Sequence, residues 1–388
     1  MRITCVHQGS ELYGSDRCFI ESVEAIRQAY PMAAIDVVLP GDGPIVAHLA
    51  RFATSIAFEP LWILRRRRLP RLATIGLLQL PLAIARALAR IKGSDLTYVN
   101  TAVVVDYSLA AALFRGRVIT HVHEIPTGAT LTLLRGLLRL SGAQIVFNSN
   151  ATSRAYAMPA SVRAQVVYNG IAGPPRGESA SYDGARPLRL LTLGRISRIK
   201  GQEILVEAMA SLPEALRARL EIRIVGNAFE DAPREEALRA LIVSRGLAGR
   251  IAMAPFTPDP TPHYRWADVV AVPSRLPESL GRVAIEAMSW GRPALVSGIG
   301  GLREIVEDGA TGWIVPPDEV APLAAALARI IEQPEAWRAY PAAARARYEA
   351  VFSKPSAAAA IARLFAQALG ARTSGSASAA AAAAEGRA

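Results

Sequence analysis

Cysteine is almost missing: Cys5 and Cys18 are the only two in 388 residues. Two thiols cannot build a disulfide framework, and their wide setting lacks the paired spacing of a zinc knuckle. A reducing compartment is the simpler expectation. The opening MRITCVHQGSELYG has no apolar h-region, so it does not read as a secretory signal. Long apolar runs are missing too. The most apolar stretch, Leu72 to Ala89, is broken by Gln79, Pro81 and Arg86 and suits a buried or interfacial helix better than a membrane span. Aromatic residues make up only 6% of the chain, with no aromatic single-strand module and no recognition helix, so nucleic acid is not an expected partner. Histidine offers no metal set: His121 and His123 are one residue apart on an expected strand, with no third ligand at a recognised spacing.

Acidic residues are in deficit, 33 against 44 basic ones, for a formal net charge of +11. Such a surplus fits nucleic acid, an anionic membrane surface or a phosphorylated substrate, or simply reflects an arginine-rich coding bias. Its densest cluster, Arg65 to Arg68 with Arg71, immediately precedes the apolar stretch. Each basic residue near an anionic surface contributes about 1 kcal/mol, which suits an inner-leaflet docking surface. A solvated loop accounts for the same cluster. The expected location is cytoplasmic, with the inner face of the cell membrane as the place for peripheral contact.

What is present is an apolar fraction of 51%, ample for two cores in a chain of this length. Strand-like runs ITCVHQG, AAIDVVLP, DLTYVNT, GRVITHVHE, AQIVFNS and AQVVYNG punctuate the first half. Phe19, Val23 and Ile26, spaced by four and three, line one face of an expected helix. After the turn-rich GPPRGESASYDGARP the alternation restarts with LRLLTLGR, LEIRIVGN, RIAMAPF, ADVVAVPS and RPALVSG as strands. The expected organisation is α/β, with two Rossmann-like domains facing across a cleft. Residues 1–172 form the first, 173–187 a linker, 188–350 the second, and 351–370 a helical segment crossing back to the first domain. Residues 371–388 hold nothing large to bury and read as a disordered tail, with a frayed alanine helix as the alternative.

Chemistry concentrates in the second half. Gly194, Arg195 and Lys200 follow an apolar strand and precede an amphipathic helix, where free amides and two cations can neutralise a diphosphate. Downstream, Glu278 lies in a loop and Glu286 in the following helix. On one continuous helix that spacing would put them about 80° apart, so their cooperation requires Glu278 to belong to the loop. Carboxylates there can accept hydrogen bonds from sugar and ribose hydroxyls; a capping Glu278 and a solvated Glu286 are the alternative.

The linked set GRISRIKG at 194–201, ESLGRVAIE at 278–286 and SGIGGLREIVEDGATGWIVPP at 297–317 resembles the retaining glycosyltransferases of the GT-B fold, the large family numbered four. The resemblance implies that Arg195 and Lys200 hold the donor diphosphate and stabilise the departing nucleotide. It implies that Glu286 holds the ribose, Glu278 the transferred sugar, and the backbone at Leu280 and Gly281 the diphosphate. Gly300 and Gly301 permit a tight loop nearby. A proline-phenylalanine pair often found before Gly281 is replaced by Ser279 and Leu280, and Arg282 follows as a phosphate contact or a helix-face salt bridge. The glycine-rich loop of the first domain corresponds to Tyr13–Asp16, where Gly14 and Ser15 are donor-side candidates and capping explains Ser15 or Asp16 equally well. In THVHEIP, His123 is expected beside the reacting sugar, with Glu124 supporting the loop or the acceptor. His7 faces the acceptor or is a hydrogen-bonded core histidine, while Asn148 and Asn169 read as turn residues.

The implied activity is retaining hexosyl transfer from a UDP-, GDP- or other nucleotide-sugar donor. No cofactor and no metal is implied, because Arg195 and Lys200 supply the positive charge. The expected acceptor is a glycan, a lipid-linked intermediate or a small molecule, as in bacterial polysaccharide synthesis. A nucleotide-sugar epimerase or phosphorylase-like enzyme on the same architecture, and a basic non-catalytic binding protein, are the alternatives.

Overall fold

The computed structural model describes residues 1–12, 14–64, 76–175, 182–228 and 232–385, with side chains as far as 370. The Arg65–Arg71 cluster, Tyr13 and part of the expected linker lie outside the described residues. The chain divides into two compact units, 1–170 with 354–388, and 171–353.

In the first unit seven strands form one sheet: β1 Arg2–His7, β2 Ala34–Leu39, β3 Ser55–Phe58, β4 Leu96–Asn100, β5 Val118–Val122, β6 Gln144–Phe147 and β7 Ala164–Val166. The order is β3-β2-β1-β4-β5-β6-β7 and every pairing is parallel. Central strands of such a sheet are covered on both faces, which is why β1 and β4 read as near-continuous buried runs rather than alternating ones. The helix Gly14–Ala29 covers one face with Phe19, Val23 and Ile26, all fully buried. Beside it the helix starting at Lys354 inserts Ile361, Leu364, Phe365 and Ala368 into the same core, and Lys354 pairs with Glu24 at 2.6 Å. This helix continues to Glu385, the alanine helix that is the alternative to a disordered tail from 371; alanine has the highest helix propensity, so the sequence extends a helix it has no apolar reason to bury.

The second unit repeats the plan with six parallel strands: β8 Leu188–Leu193, β9 Leu220–Val225, β10 Ile251–Ala254, β11 Val269–Val272, β12 Ala294–Ser297 and β13 Gly312–Val315. Their order is β10-β9-β8-β11-β12-β13. Residues 182–187, expected as linker, are built into this unit: Tyr182 stacks on Trp337 at 5.8 Å, and Arg186 grips Asp268 with two hydrogen bonds of 2.7 Å.

In both sheets the strand order reverses beside the first strand, between β1 and β4 and between β8 and β11. Loops leaving the carboxyl ends of those strands diverge there, which opens the crevice where ligands of doubly wound sheets bind.

Candidate functional site

At the second unit's reversal point, the loop after β8 carries Gly194, Arg195 and Lys200, and the loop after β11 carries Ser274 to Gly281. Backbone contact holds the two loops together. Arg275 N donates to Ile199 O at 2.8 Å, and Gly201, at φ +65°, lies so close to Pro273 that a Cβ there would sit 2.1 Å from its carbonyl oxygen. Only glycine meets both the conformation and the space. This approach brings Lys200 Nζ within 2.8 Å of Glu278 Oε2, while Ser274 Oγ donates to Glu278 Oε1. A third loop locks the main chain of Glu278: Gly301 N donates to its carbonyl at 2.8 Å, and a Cβ at Gly300 would lie 2.3 Å from the same oxygen. Glu278 therefore belongs to the loop, paired and oriented, and it caps no helix.

Glu286 is four residues into the helix Arg282–Ser289, which begins after Gly281 at φ +94°. Tyr264 OH donates to Glu286 Oε2 at 2.9 Å, and Arg282 Nε approaches Oε1 at 3.8 Å. Burial, reinforced by the Glu286 charge, pushes the Tyr264 phenol well above its ordinary range, so it remains a donor. Leu280 is buried and anchors the loop with its side chain, leaving only its backbone for a ligand. The Arg195 side chain is exposed and makes no hydrogen bond or ion pair among the described residues. The loop after β8 thus carries two cations, Arg195 and Lys200, while the loop after β11 and the helix that follows it carry two carboxylates, Glu278 and Glu286, whose oxygens can take hydroxyl hydrogens.

The first unit's reversal point carries a buried polar cluster. His123 Nε2 is 2.8 Å from Asn100 Oδ1, and its Nδ1 is 3.3 Å from Asn169 Nδ2. Asn169, expected as a turn residue, is thereby a histidine partner. His7 is fully buried, stacked on Phe19 at 4.7 Å and bonded to Asp16 at 2.7 Å. It is a hydrogen-bonded core histidine; the acceptor-facing alternative fails because its ring is sealed from solvent. Glu124 fits the loop-supporting alternative rather than the acceptor-side one. Its carboxylate turns inward to Thr101 Oγ1 at 2.6 Å, Ala102 N at 2.9 Å and His123 N at 3.0 Å. Burial raises its pKa against the opposing pull of those donors. Thr101 itself adopts φ +132°, a strained conformation for a β-branched residue, held in place by the Glu124 bond.

Gly14 and Ser15 occupy the first turn of the helix Gly14–Ala29, so Ser15 and Asp16 lie inside the helix and are not its caps. Asn100, Asp16, Ser274 and Tyr264 were not legible as site residues. Asn100 carried one signal: it is the polar residue that ends an otherwise buried strand.

Two parallel Rossmann-like units with reversal points of this kind define the GT-B fold, the architecture of a large class of glycosyltransferases. Residues 184–347, within the second unit, match the family described as glycosyl transferases group 1. The D-inositol 3-phosphate glycosyltransferase of Thermomonospora curvata is 36% identical over 151 residues, 37% of this chain and 35% of that protein. Its counterpart from Nocardia farcinica is 40% identical over 145 residues, 36% of this chain and 32% of that protein. The alignments therefore span about a third of these relatives' length. Among solved structures, Anabaena HepE in complex with UDP matches with a TM-score of 0.79 at 24% identity, covering 95% of this chain and 100% of that one. Sucrose-phosphate synthase from Thermosynechococcus elongatus gives 0.72 at 21% identity, covering 96% and 100%. These structural likenesses establish the fold.

Proposed function

We propose that this protein is a glycosyltransferase that moves a hexose from a nucleotide-diphosphate donor, with retention of anomeric configuration. The observation that carries the reading is the Lys200–Glu278 pair at the β8/β11 reversal point, with Arg195 on the same loop as Lys200, inside the segment that matches the family. In this reading the two cations meet the diphosphate, whose charge grows as the glycosidic bond breaks, so they favour the transition state over the ground state. Glu286, oriented by Tyr264, takes the ribose hydroxyls, and Glu278 the sugar. His123 is assigned a sugar contact in the same reading.

UDP-glucose is the first donor to test, because Anabaena HepE was solved with UDP and with UDP-glucose. The acceptor is proposed as a glycan, a lipid-linked sugar or a small molecule. The family match lies within 171–353 and supports the donor side only, so the inositol phosphate of the named relatives is one candidate among these. Glycosyl transfer by the purified chain, with product stereochemistry read by proton NMR, tests the proposal. An axial donor bond kept axial in the product supports it. Donor conversion without an acceptor would favour an epimerase or phosphorylase, and loss of transfer in a chelator would overturn the metal-independent part.

Peripheral membrane contact belongs to the same proposal. No helix among the described residues is long and apolar enough to cross a membrane. The helix Leu77–Lys92 nevertheless exposes Leu77, Leu78 and Leu82, with Leu78 84% exposed, a few residues after the Arg65–Arg71 cluster. Apolar residues beside clustered arginine suit an anionic lipid surface. Cosedimentation with anionic but not neutral vesicles is the expected result; equal recovery with both would contradict it.

A further inference from the structure

We propose that Asp16, His7 and Asn100 form a one-way hydrogen-bond relay that fixes the tautomer of His123, and that they are positioning residues for the reaction His123 serves. The proposal rests on the glycosyltransferase reading for its purpose, but its geometry stands in the first unit alone.

The relay is read from its fixed end. An ionised Asp16 carboxylate can only accept, so His7 Nε2, 2.7 Å from Oδ1, carries the hydrogen. His7 Nδ1 has two neighbours on Asn100, the amide Nδ2 at 3.0 Å and the backbone carbonyl oxygen at 3.3 Å; in neutral His7 its lone pair takes the shorter contact and accepts from Nδ2. A second contact agrees on that amide orientation: the Ser15 carbonyl oxygen, which can only accept, lies 3.4 Å from the same Asn100 Nδ2. With its NH2 directed to His7 and Ser15, Asn100 presents Oδ1 to His123 Nε2 at 2.8 Å, and Nε2 must donate. Nδ1 of His123 is left as the accepting nitrogen, 3.3 Å from Asn169 Nδ2. From Asn169 to Asp16, the four side-chain bonds then all point the same way.

Burial makes the direction binding. Asp16, His7 and Asn100 are each 3% exposed or less, so water cannot substitute for a missing donor or acceptor. Room for the carboxylate comes from Gly9, where a Cβ would lie 2.3 Å from Asp16 Oδ1, and the His7 ring plane is set by stacking on Phe19. The consequence for the site is that His123 meets a sugar as an acceptor through Nδ1. Its longer bond, to Asn169, is the one a sugar hydroxyl can replace.

Long-range proton-nitrogen NMR correlation of the imidazole rings tests this on the full chain, with His7→Gln and His123→Asn for assignment. The expected wild-type spectrum shows both His7 and His123 with the hydrogen on Nε2 and a bare Nδ1. Asp16→Ala leaves the long 3.4 Å contact with the Ser15 carbonyl to orient the Asn100 amide, so His123 is expected to show a mixture of both tautomers. It should also lower kcat for transfer about tenfold or more while the donor KM changes far less, since misplacing a reacting group by a fraction of an ångström is costly. If Asp16→Ala does not fold, Asn100→Asp asks the question from the middle of the chain. A carboxylate there cannot donate, so His7 must take a hydrogen on Nδ1 while His123 keeps its own on Nε2. His123 protonated at Nδ1 in the wild type, or unchanged by Asp16→Ala, overturns the relay whatever the activity. The expected spectra in a wild type that transfers no sugar would keep the relay and discard its purpose.

Discussion

Lys200 and Glu278, 78 residues apart in sequence, meet at 2.8 Å because two loops touch through their backbones. Both side chains keep some solvent exposure, 24% and 14%, so the pair itself contributes little to stability, up to about 1 kcal/mol. Its value lies in placing a cation and a carboxylate together. Lys200→Ala is therefore expected to lower kcat/KM for the donor about 100-fold, as losing a transition-state charge partner does. The urea unfolding midpoint should stay nearly unchanged. A large fall in stability with a proportionate loss of activity would make the pair structural.

Tyr264→Phe deletes only the hydroxyl that donates to Glu286. A lost hydrogen bond to a carboxylate corresponds to about 1 to 2 kcal/mol, so nucleotide affinity should weaken roughly 5- to 30-fold by calorimetry. Unchanged affinity would show that Glu286 does not depend on Tyr264 for its orientation.

Gly201→Ala and Gly246→Ala separate conformational strain from close approach. Both glycines have similar positive φ, +65° and +69°, but only Gly201 faces a backbone oxygen; Gly246 has open space around its Cβ position. Gly246→Ala should cost about 1 kcal/mol in unfolding free energy. Gly201→Ala should cost at least about 2 kcal/mol more and abolish donor binding, because the loop bearing Lys200 must move away from Pro273.

His121 gives an acid limb to stability. Desolvation by burial lowers its pKa from 6.5 to about 3 in the folded state. The unfolded chain therefore binds a proton first as pH falls, and stability is lost between about pH 6.5 and 3. His121→Gln should flatten that limb by a few kcal/mol at most. An identical acid-unfolding profile in wild type and variant would contradict this.

Most of the fold was legible because buried parallel strands are written as short apolar runs with turn residues at their ends. The two strands missed, β3 Ser55–Phe58 and β13 Gly312–Val315, are edge strands whose middle residues are only half-buried, and β13 begins at a glycine, so neither is written as a fully buried run. Glu278 and Lys200 were legible as charges at strand-to-helix junctions. Tyr264 and Ser274 were not, because a single tyrosine or serine carries no periodicity and gains its role only when β11 and its neighbours bring it to a carboxylate. His7 and Glu124 show the converse: their positions at strand ends marked them, but which way each side chain turned was decided by Asp16 and Thr101, partners that spacing does not reveal.

Saturation-transfer NMR with a panel of nucleotide sugars, led by UDP-glucose, tests the central claim most directly when run on wild type, Lys200→Ala and Glu286→Ala. The account predicts selective binding of a nucleotide-diphosphate sugar by the wild type, weakened by both substitutions. Folded wild-type protein that binds no nucleotide sugar would contradict it.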